Sequence, residues 1–351
     1  MQTKKILVVG ASGSVGSSIV SLLFQDNSYT ITIAGRRKEI LEKLNLDYNN
    51  SFSILPLNIH QITDFSFLKN FDLLIMCLDI PNDNLPKACV QFGVHYLDIS
   101  ASESVYNLLK PLHQKAQNQN VKLLFSVGLA PGLTNVLAKY LYEQLDQITD
   151  LELFVMLGLG EIHGDQAFQW TFDNLHKEYF IYQNNKSLKV KSFTEKKTTN
   201  LLGNRNFYLF DFVDQHILKD LPNVKSVSTR MAFDNRFFTS FVAFLRRIGL
   251  TKIYQNKKMQ NSMMFLLKNS QIGSDIYGLK VIARNHNKQE KSVSVNGFGE
   301  GKMTAIVAAN LVNYLFESNK NGLIHSHDLV NNVPDFFNEI QRKDPKFQFK
   351  L

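Results

Sequence analysis

Three glycines near the start constrain this chain most. Gly10, Gly13 and Gly16 follow the apolar run Ile6-Leu7-Val8-Val9 and open the amphipathic stretch Ser14–Gln25, which places Val15, Ile19, Leu22 and Leu23 on one helical face. A strand, a glycine-rich turn and a helix in immediate succession form the arrangement that cradles a dinucleotide pyrophosphate. The first glycine permits the turn, the second admits the phosphate to the backbone, and the third lets helix and strand approach closely. The free N–H groups at the helix start then face the anion, with the helix dipole behind them.

The rest of the first third repeats that βα unit. YTITIAG, SFSILPLNI, FDLLIMCLDIP, VHYLDIS and KLLFSVG read as further strands, separated by helical stretches. Strict alternation predicts a parallel sheet covered by helices on both faces, and runs apolar at successive positions fit strands buried on both sides. The pattern changes beyond about residue 130. LELFVMLGL, the region from SLKVKSF to FYLFDFV, and VKSVSTRMAF read as strands. IYGLKVIARN and KSVSVNGF, joined by the polar NHNKQE, read as a hairpin. The expected architecture is α/β: an N-terminal Rossmann parallel sheet over residues 1–130, completed by a C-terminal return over 301–351. A second α+β domain rich in antiparallel strands occupies 131–300.

The end of the second strand bears on cofactor choice. Where an NAD site places a carboxylate for the ribose hydroxyls, this chain has Ala34-Gly35-Arg36-Arg37. Two guanidinium groups suit a 2′-phosphate, which points to NADP rather than NAD. Ligands in open α/β sheets bind beyond the carboxyl ends of the strands. Those ends carry Cys77-Leu78-Asp79-Ile80-Pro81, Asp98-Ile99-Ser100 and Gly128-Leu129-Ala130-Pro131-Gly132. The candidate cofactor-binding set is Gly10, Ser12, Gly13, Ser14, Val15, Gly16, Arg36, Arg37, Cys77, Leu78, Ala130, Pro131 and Gly132.

GASGSVG, AGRR, VHYLDIS and GLAPGLTN together resemble the saccharopine dehydrogenase-like oxidoreductases. The resemblance continues through RMAFDN and FLRRIGL to GFGEGKMTAIVAANLV, so that it spans roughly residues 4–318 and is closest to the short bacterial members. It implies a Rossmann domain completed by the C-terminal helix, with an inserted substrate domain that often mediates dimers. It also implies oxidation or reduction at the C–N bond of an amino acid or imine, a small-molecule substrate and a homodimer.

Hydride transfer belongs to the cofactor, so the protein must orient the substrate and move a proton. Asp98 and His163 are the candidate proton-handling groups. Ser100, Arg230 and Glu300 are the candidate substrate contacts. His95 reads as a packed strand residue, and His325 and His327 as a helix start or surface tail. No metal motif is present. The alternative is a non-catalytic NADP-binding regulator or redox sensor.

Composition adds limits. The charge is 39 Lys and Arg against 31 Asp and Glu, a net +8, which suits phosphorylated cofactors, nucleic acid or acidic lipid headgroups. The excess reads as spread over both halves, without the aromatic–basic interleaving of a nucleic-acid face. Two cysteines, Cys77 and Cys89, form no disulfide framework. They fit a reducing compartment, and with no signal-peptide core and no spanning run they suggest a cytoplasmic protein without a membrane partner. The chain is expected to show no salt-resistant, sequence-specific binding to a nucleic-acid duplex. A tight complex with one duplex at physiological salt, seen by fluorescence anisotropy, would contradict this.

Overall fold

The computed structural model describes residues 3–160, 165–269 and 273–351. The chain divides into two compact units, residues 1–133 with 301–331, and residues 134–300 with 332–351. Residues 332–351, expected with the first domain, fall in the second unit.

In chain order the first unit contains β1 (Lys4–Val9), α1 (Ser14–Gln25), β2 (Tyr29–Gly35), α2 (Lys38–Leu46), β3 (Ser53–Pro56), β4 (Leu73–Met76), α3 (Asn84–Phe92), β5 (His95–Asp98), α4 (Glu103–Leu109), α5 (His113–Asn118) and β6 (Lys122–Phe125). The second contributes α6 (Thr134–Gln144), β7 (Ile148–Leu157), α7 (Asp165–Leu175), β8 (Glu178–Gln183), β9 (Lys186–Lys191), β10 (Lys197–Asn200), β11 (Asn204–Leu209), α8 (Val213–Leu218), β12 (Ser226–Phe233), α9 (Arg236–Arg247), α10 (Lys257–Asn269), β13 (Ile276–Asn285) and β14 (Glu290–Phe298). The chain then runs through α11 (Glu300–Glu317), β15 (Gly322–His325) and α12 (Ser326–Leu329) to α13 (Val333–Lys343) and β16 (Gln348–Lys350).

The first sheet has seven strands in the order β15-β6-β5-β4-β1-β2-β3, and every pairing is parallel. Ile6 to Val9, Leu73 to Met76 and Leu123 to Phe125 are all fully buried, as expected of strands covered on both faces. From β1 the chain builds outward through β2 and β3, then crosses to build β4, β5 and β6 on the other side. The carboxyl ends of β1 and β4 therefore flank a topological switch point, where open α/β sheets bind their ligands. The seventh strand, β15, extends the β6 edge. α11 returns beside this sheet, and the Lys122 ammonium donates to the Leu315 carbonyl at 2.7 Å.

The second unit is built on a nine-stranded sheet whose path runs β10-β11-β12-β7-β13-β14-β16, with the β8–β9 hairpin attached at β12. Its pairings are antiparallel except for β12 beside β7, which is parallel over eight registered pairs. β13 and β14 form the expected hairpin. Phe154, Met156, Leu201, Phe207, Ala232 and Ile282 form a buried cluster in this unit. No helix among the described residues is long and apolar enough to cross a membrane.

The β1–α1 junction is the tightest point of the first unit. A Cβ on Gly16 would stand 2.2 Å from the Gly10 carbonyl oxygen, so any side chain there forces helix and turn apart. Gly16→Ala is expected to cost about 1–3 kcal/mol, the range for overpacking a rigid contact. A melting temperature equal to that of the parent protein would contradict this packing.

Candidate functional site

The turn after β1 is held by backbone alone. Gly10 has φ +82° and its N–H donates to the Ala34 carbonyl at 2.9 Å, while the Gly13 N–H returns to the Gly10 carbonyl at 3.0 Å. Gly13 caps α1 in an extended conformation. No side chain caps the helix and its first turn holds no acid. Ser12, Gly13 and Ser14 are exposed, Val15 is half-buried and Gly16 is buried. The N–H groups at this helix start thus face an open surface, the condition for holding an anion.

Neighbouring strand ends close around the turn. A Cβ on Gly10 would meet Leu78 at 2.9 Å and Cys77 at 3.3 Å, so these two residues pack directly on the glycine loop. Ser12 lies beside Gly35 at the end of β2, and the exposed Arg36 and Arg37 follow at once. Neither arginine makes an ion pair among the described residues, which leaves both guanidinium groups available to an anion. Burial, with the Asp98 carboxylate adding to it, pushes the half-buried Cys77 thiol up, which disfavours the nucleophilic thiolate. A polar cavity of about 160 Å³ lies among the loops that follow β3 and β4, lined in part by His60, Gln61, Thr63, Pro81 and Asn82.

At the end of β5, Asp98 is completely buried. The Tyr96 hydroxyl donates to one of its oxygens at 2.5 Å and the Ser100 N–H to the other at 2.8 Å. The Ser100 hydroxyl donates in turn to Asp79 at 2.6 Å, and Asp79 is exposed at the end of β4. Burial, with the charge of Asp79 adding to it, raises Asp98 to about 7 against the two stabilising hydrogen bonds. A carboxyl with its pKa near neutrality is therefore linked through Ser100 to the exposed Asp79. Asp79 and Tyr96 received no role from sequence. Tyr96 lies inside VHYLDIS but its hydroxyl had no partner visible in sequence, and Asp79 is one of several residues quoted from its strand end.

The GLAPG segment ends the run of strand-end loops. Gly128 and Gly132 have φ +154° and +141°, in the region that favours glycine, and a Cβ on Gly128 would press on Thr304 of α11 at 3.1 Å. The Ser326 hydroxyl donates to the Gly132 carbonyl at 3.1 Å. Pro131 and Gly132 are buried, so Ala130 is the residue of this trio with partial exposure. Beside it, the Ser126 hydroxyl and His325 Nδ1 lie 2.7 Å apart. The surface-tail reading of His325 and His327 is corrected here. Both rings pack inward and stack on each other, and burial followed by the neighbouring His327 lowers His325 to about 3, so it is neutral. His95 packs as expected. Burial, with Lys122 and Lys4 adding to it, lowers its pKa to about 4.

The remaining candidates lie in the second unit or outside the described residues. Arg230 is engaged rather than open. It faces the half-buried Glu152 at 3.4 Å and donates to Ser228 at 2.8 Å, and Glu152 also takes Lys197 and Arg284. Glu300 lines a largely apolar cavity of about 50 Å³ with Phe172, Met231, Phe233 and Tyr254. His163 lies outside the described residues.

With this geometry in place, the relatives are informative. Residues 6–124 match the family model described as the saccharopine dehydrogenase NADP binding domain. Mitochondrial alpha-aminoadipic semialdehyde synthase from Bos taurus is 29% identical over 143 residues, and its Mus musculus counterpart 26% over 139 residues. Each alignment covers 39% of this chain but only 15% of the relative's length. Apo saccharopine dehydrogenase (L-Glu forming) from Saccharomyces cerevisiae superposes with a TM-score of 0.69 at 12% identity, covering 99% of this chain and 100% of that one, which shows a common fold. The parallel sheet and the mostly antiparallel second sheet are those anticipated from sequence.

The raised Asp98 pKa has a stability consequence. Between about 4 and 7 the folded state holds a proton that the unfolded state has lost, so this group's contribution falls as pH rises through that window. Asp98→Asn should therefore remove a decline in stability between those pH values. Urea melts of both proteins at several pH values measure the difference, and an unchanged difference across the window would contradict the assignment.

Proposed function

We propose that the chain is an NADP-dependent oxidoreductase acting on the C–N bond of an amino acid or imine. The observation that carries the cofactor half is the uncapped, acid-free start of α1, facing a glycine cradle that side chains would fill, next to two exposed arginines with no ion pair among the described residues, where an NAD site would hold a carboxylate. NADPH, when bound, supplies the hydride. The chain's own task is then to hold the pyrophosphate on the N–H groups of Gly13 to Val15 and the 2′-phosphate on Arg36 and Arg37.

The C–N half rests on the relatives' names together with the acid network at β5. In this reading Ser100 touches the substrate through its hydroxyl, and Asp79 fixes the direction of that hydroxyl. Asp98 is a positioning residue. Its full burial keeps it from the substrate, and its hydrogen bond from the Ser100 N–H sets the loop. Glu300 remains the proposed polar contact at the second unit's cavity, whereas the paired Arg230 is left out. The homodimer stays part of the proposal with no face assigned.

The direct test is NADPH oxidation by the purified chain against a panel of keto acids, aldehydes and amines, and the expected result is turnover only with amine–carbonyl pairs. No turnover across the panel would overturn the C–N assignment. Calorimetry should show NADPH binding more tightly than NADH. Arg36→Ala should weaken NADPH about tenfold or more, since a charge-assisted contact contributes roughly 1.5–3 kcal/mol. Equal dissociation constants for the two cofactors would remove the arginine role. Asp98→Asn should lower kcat and abolish an ionisation near neutrality in its pH profile, while leaving NADPH affinity unchanged.

A further inference from the structure

Helix α9 is turned the opposite way from an ordinary surface helix. Phe237, Phe241, Phe244 and Ile248 recur at the spacing of one helical stripe, and that stripe faces outward. Phe237 is 88% exposed, and Phe241, Phe244 and Ile248 are each at least half exposed. The opposite face is the buried one, with Thr239, Val242 and Arg246 packed inward and Arg246 donating to the Ser192 carbonyl at 2.9 Å. Leu250 and Ile253, just past the helix, extend the ridge at 54% and 48% exposure. A contiguous apolar ridge of this extent marks an interaction surface.

The charge around the ridge says what covers it. From Asn235 to Ser274 the chain has no Asp or Glu, yet it has seven Lys and Arg, nearly the whole +8 excess. The reading of a charge spread over both halves is corrected by this concentration. Five of these cations, Arg236, Arg247, Lys252, Lys257 and Lys258, are exposed over α9, the turn after it and the start of α10. Of the nearest acids, Asp275 is exposed just past the segment, and two others are hydrogen-bonded. Asp234 accepts from the Leu159 and Ser274 N–H groups, and Asp173 accepts from Gln260. A second copy packed through the same ridge would bring the seven cations of each segment together with few acids between them, and such like-charge pairing is unfavourable.

We propose that the α9 ridge docks this protein on an anionic lipid surface, with the phenylalanines in the acyl boundary and the five cations on the headgroups. Aromatic and aliphatic side chains on one face, flanked by Lys and Arg, form the interfacial pattern for lying on a bilayer without spanning it. Ile248, Leu250 and Ile253 favour lipid over nucleic-acid bases, which stack on aromatic rings. This departs from the expectation of no membrane partner, which rested on the lack of a spanning segment. One ridge residue, Phe241, also lines the cavity that Glu300 lines, so the test below alters ridge positions outside that cavity.

The test is flotation of the full chain with phosphatidylcholine vesicles and with phosphatidylcholine–phosphatidylglycerol vesicles. Binding should be roughly tenfold or more stronger to the anionic vesicles, since each cation near such a surface adds attraction, and it should weaken with added salt. A Phe237→Glu, Phe244→Glu double variant, altered only at exposed positions, should lose flotation while keeping its melting temperature. Separate Arg247→Glu and Lys252→Glu changes should weaken it in steps. No preference for anionic vesicles, or undiminished flotation of a well-folded double variant, overturns the proposal. So does a wild-type dimer, seen by light scattering, that the double variant converts to monomer without change in flotation. A ridge-dependent complex with a single-stranded oligonucleotide, tighter than that with vesicles, would reassign the face to nucleic acid.

Discussion

The contact between Gly16 and the Gly10 carbonyl sets the geometry on which the rest of the first unit depends. A Cβ at Gly16 would fall 2.2 Å from that oxygen, so helix and strand meet at backbone distance. This approach holds the α1 start over the carboxyl end of β1, and the chain supplies no side-chain cap and no acid to satisfy it. The same tightness brings Cys77 and Leu78 onto Gly10. One steric constraint thereby places the loops after β1, β2 and β4 around a single point of positive potential.

A second constraint is electrostatic. Asp98 is buried without a cation, and two donors are not enough to keep its charge stable there, so its pKa moves to about 7. The cost of that burial is carried by a sheet whose central strands are entirely covered. Histidines move the other way: at His95 and His325 burial, with neighbouring cationic groups adding to it, outweighs the opposing pull of Asp72 and Asp328 and holds both neutral. The first unit thus keeps its inner strand ends nearly free of fixed charge, with Arg36 and Arg37 left outside at the rim.

In the second unit, helical spacing alone does not fix which face turns inward. The spacing of Phe237, Phe241, Phe244 and Ile248 establishes an amphipathic helix, but the same spacing serves a stripe turned inward or outward. Here Arg246, anchored at 2.9 Å to the Ser192 carbonyl, and the buried Val242 hold the other side against the sheet. Arg230 is similar. Alternation along β12 correctly gave the strand, yet only cross-strand register brings Glu152 beside it and removes that guanidinium from the candidates.

Local pattern was enough for the sheets, because runs such as Ile6–Val9 and the hairpin over NHNKQE announce their own conformation, and for the glycine cradle, whose three residues act within one turn. It was not enough for β15 and β16, strands of four and three residues whose existence depends on an edge already waiting for them. Nor did it show that residues 332–351 belong with the second unit. The Tyr96–Asp98–Ser100–Asp79 chain joins two strand ends separated by about twenty residues, and its hydrogen bonds exist only once β4 and β5 lie side by side. The sequence by itself determined which segments could be strand, turn or helix and where an anion could be held, since these follow from backbone sterics and local spacing. The tertiary structure alone decided which charges are buried, which are paired and which face of α9 meets the outside, since those depend on neighbours far along the chain.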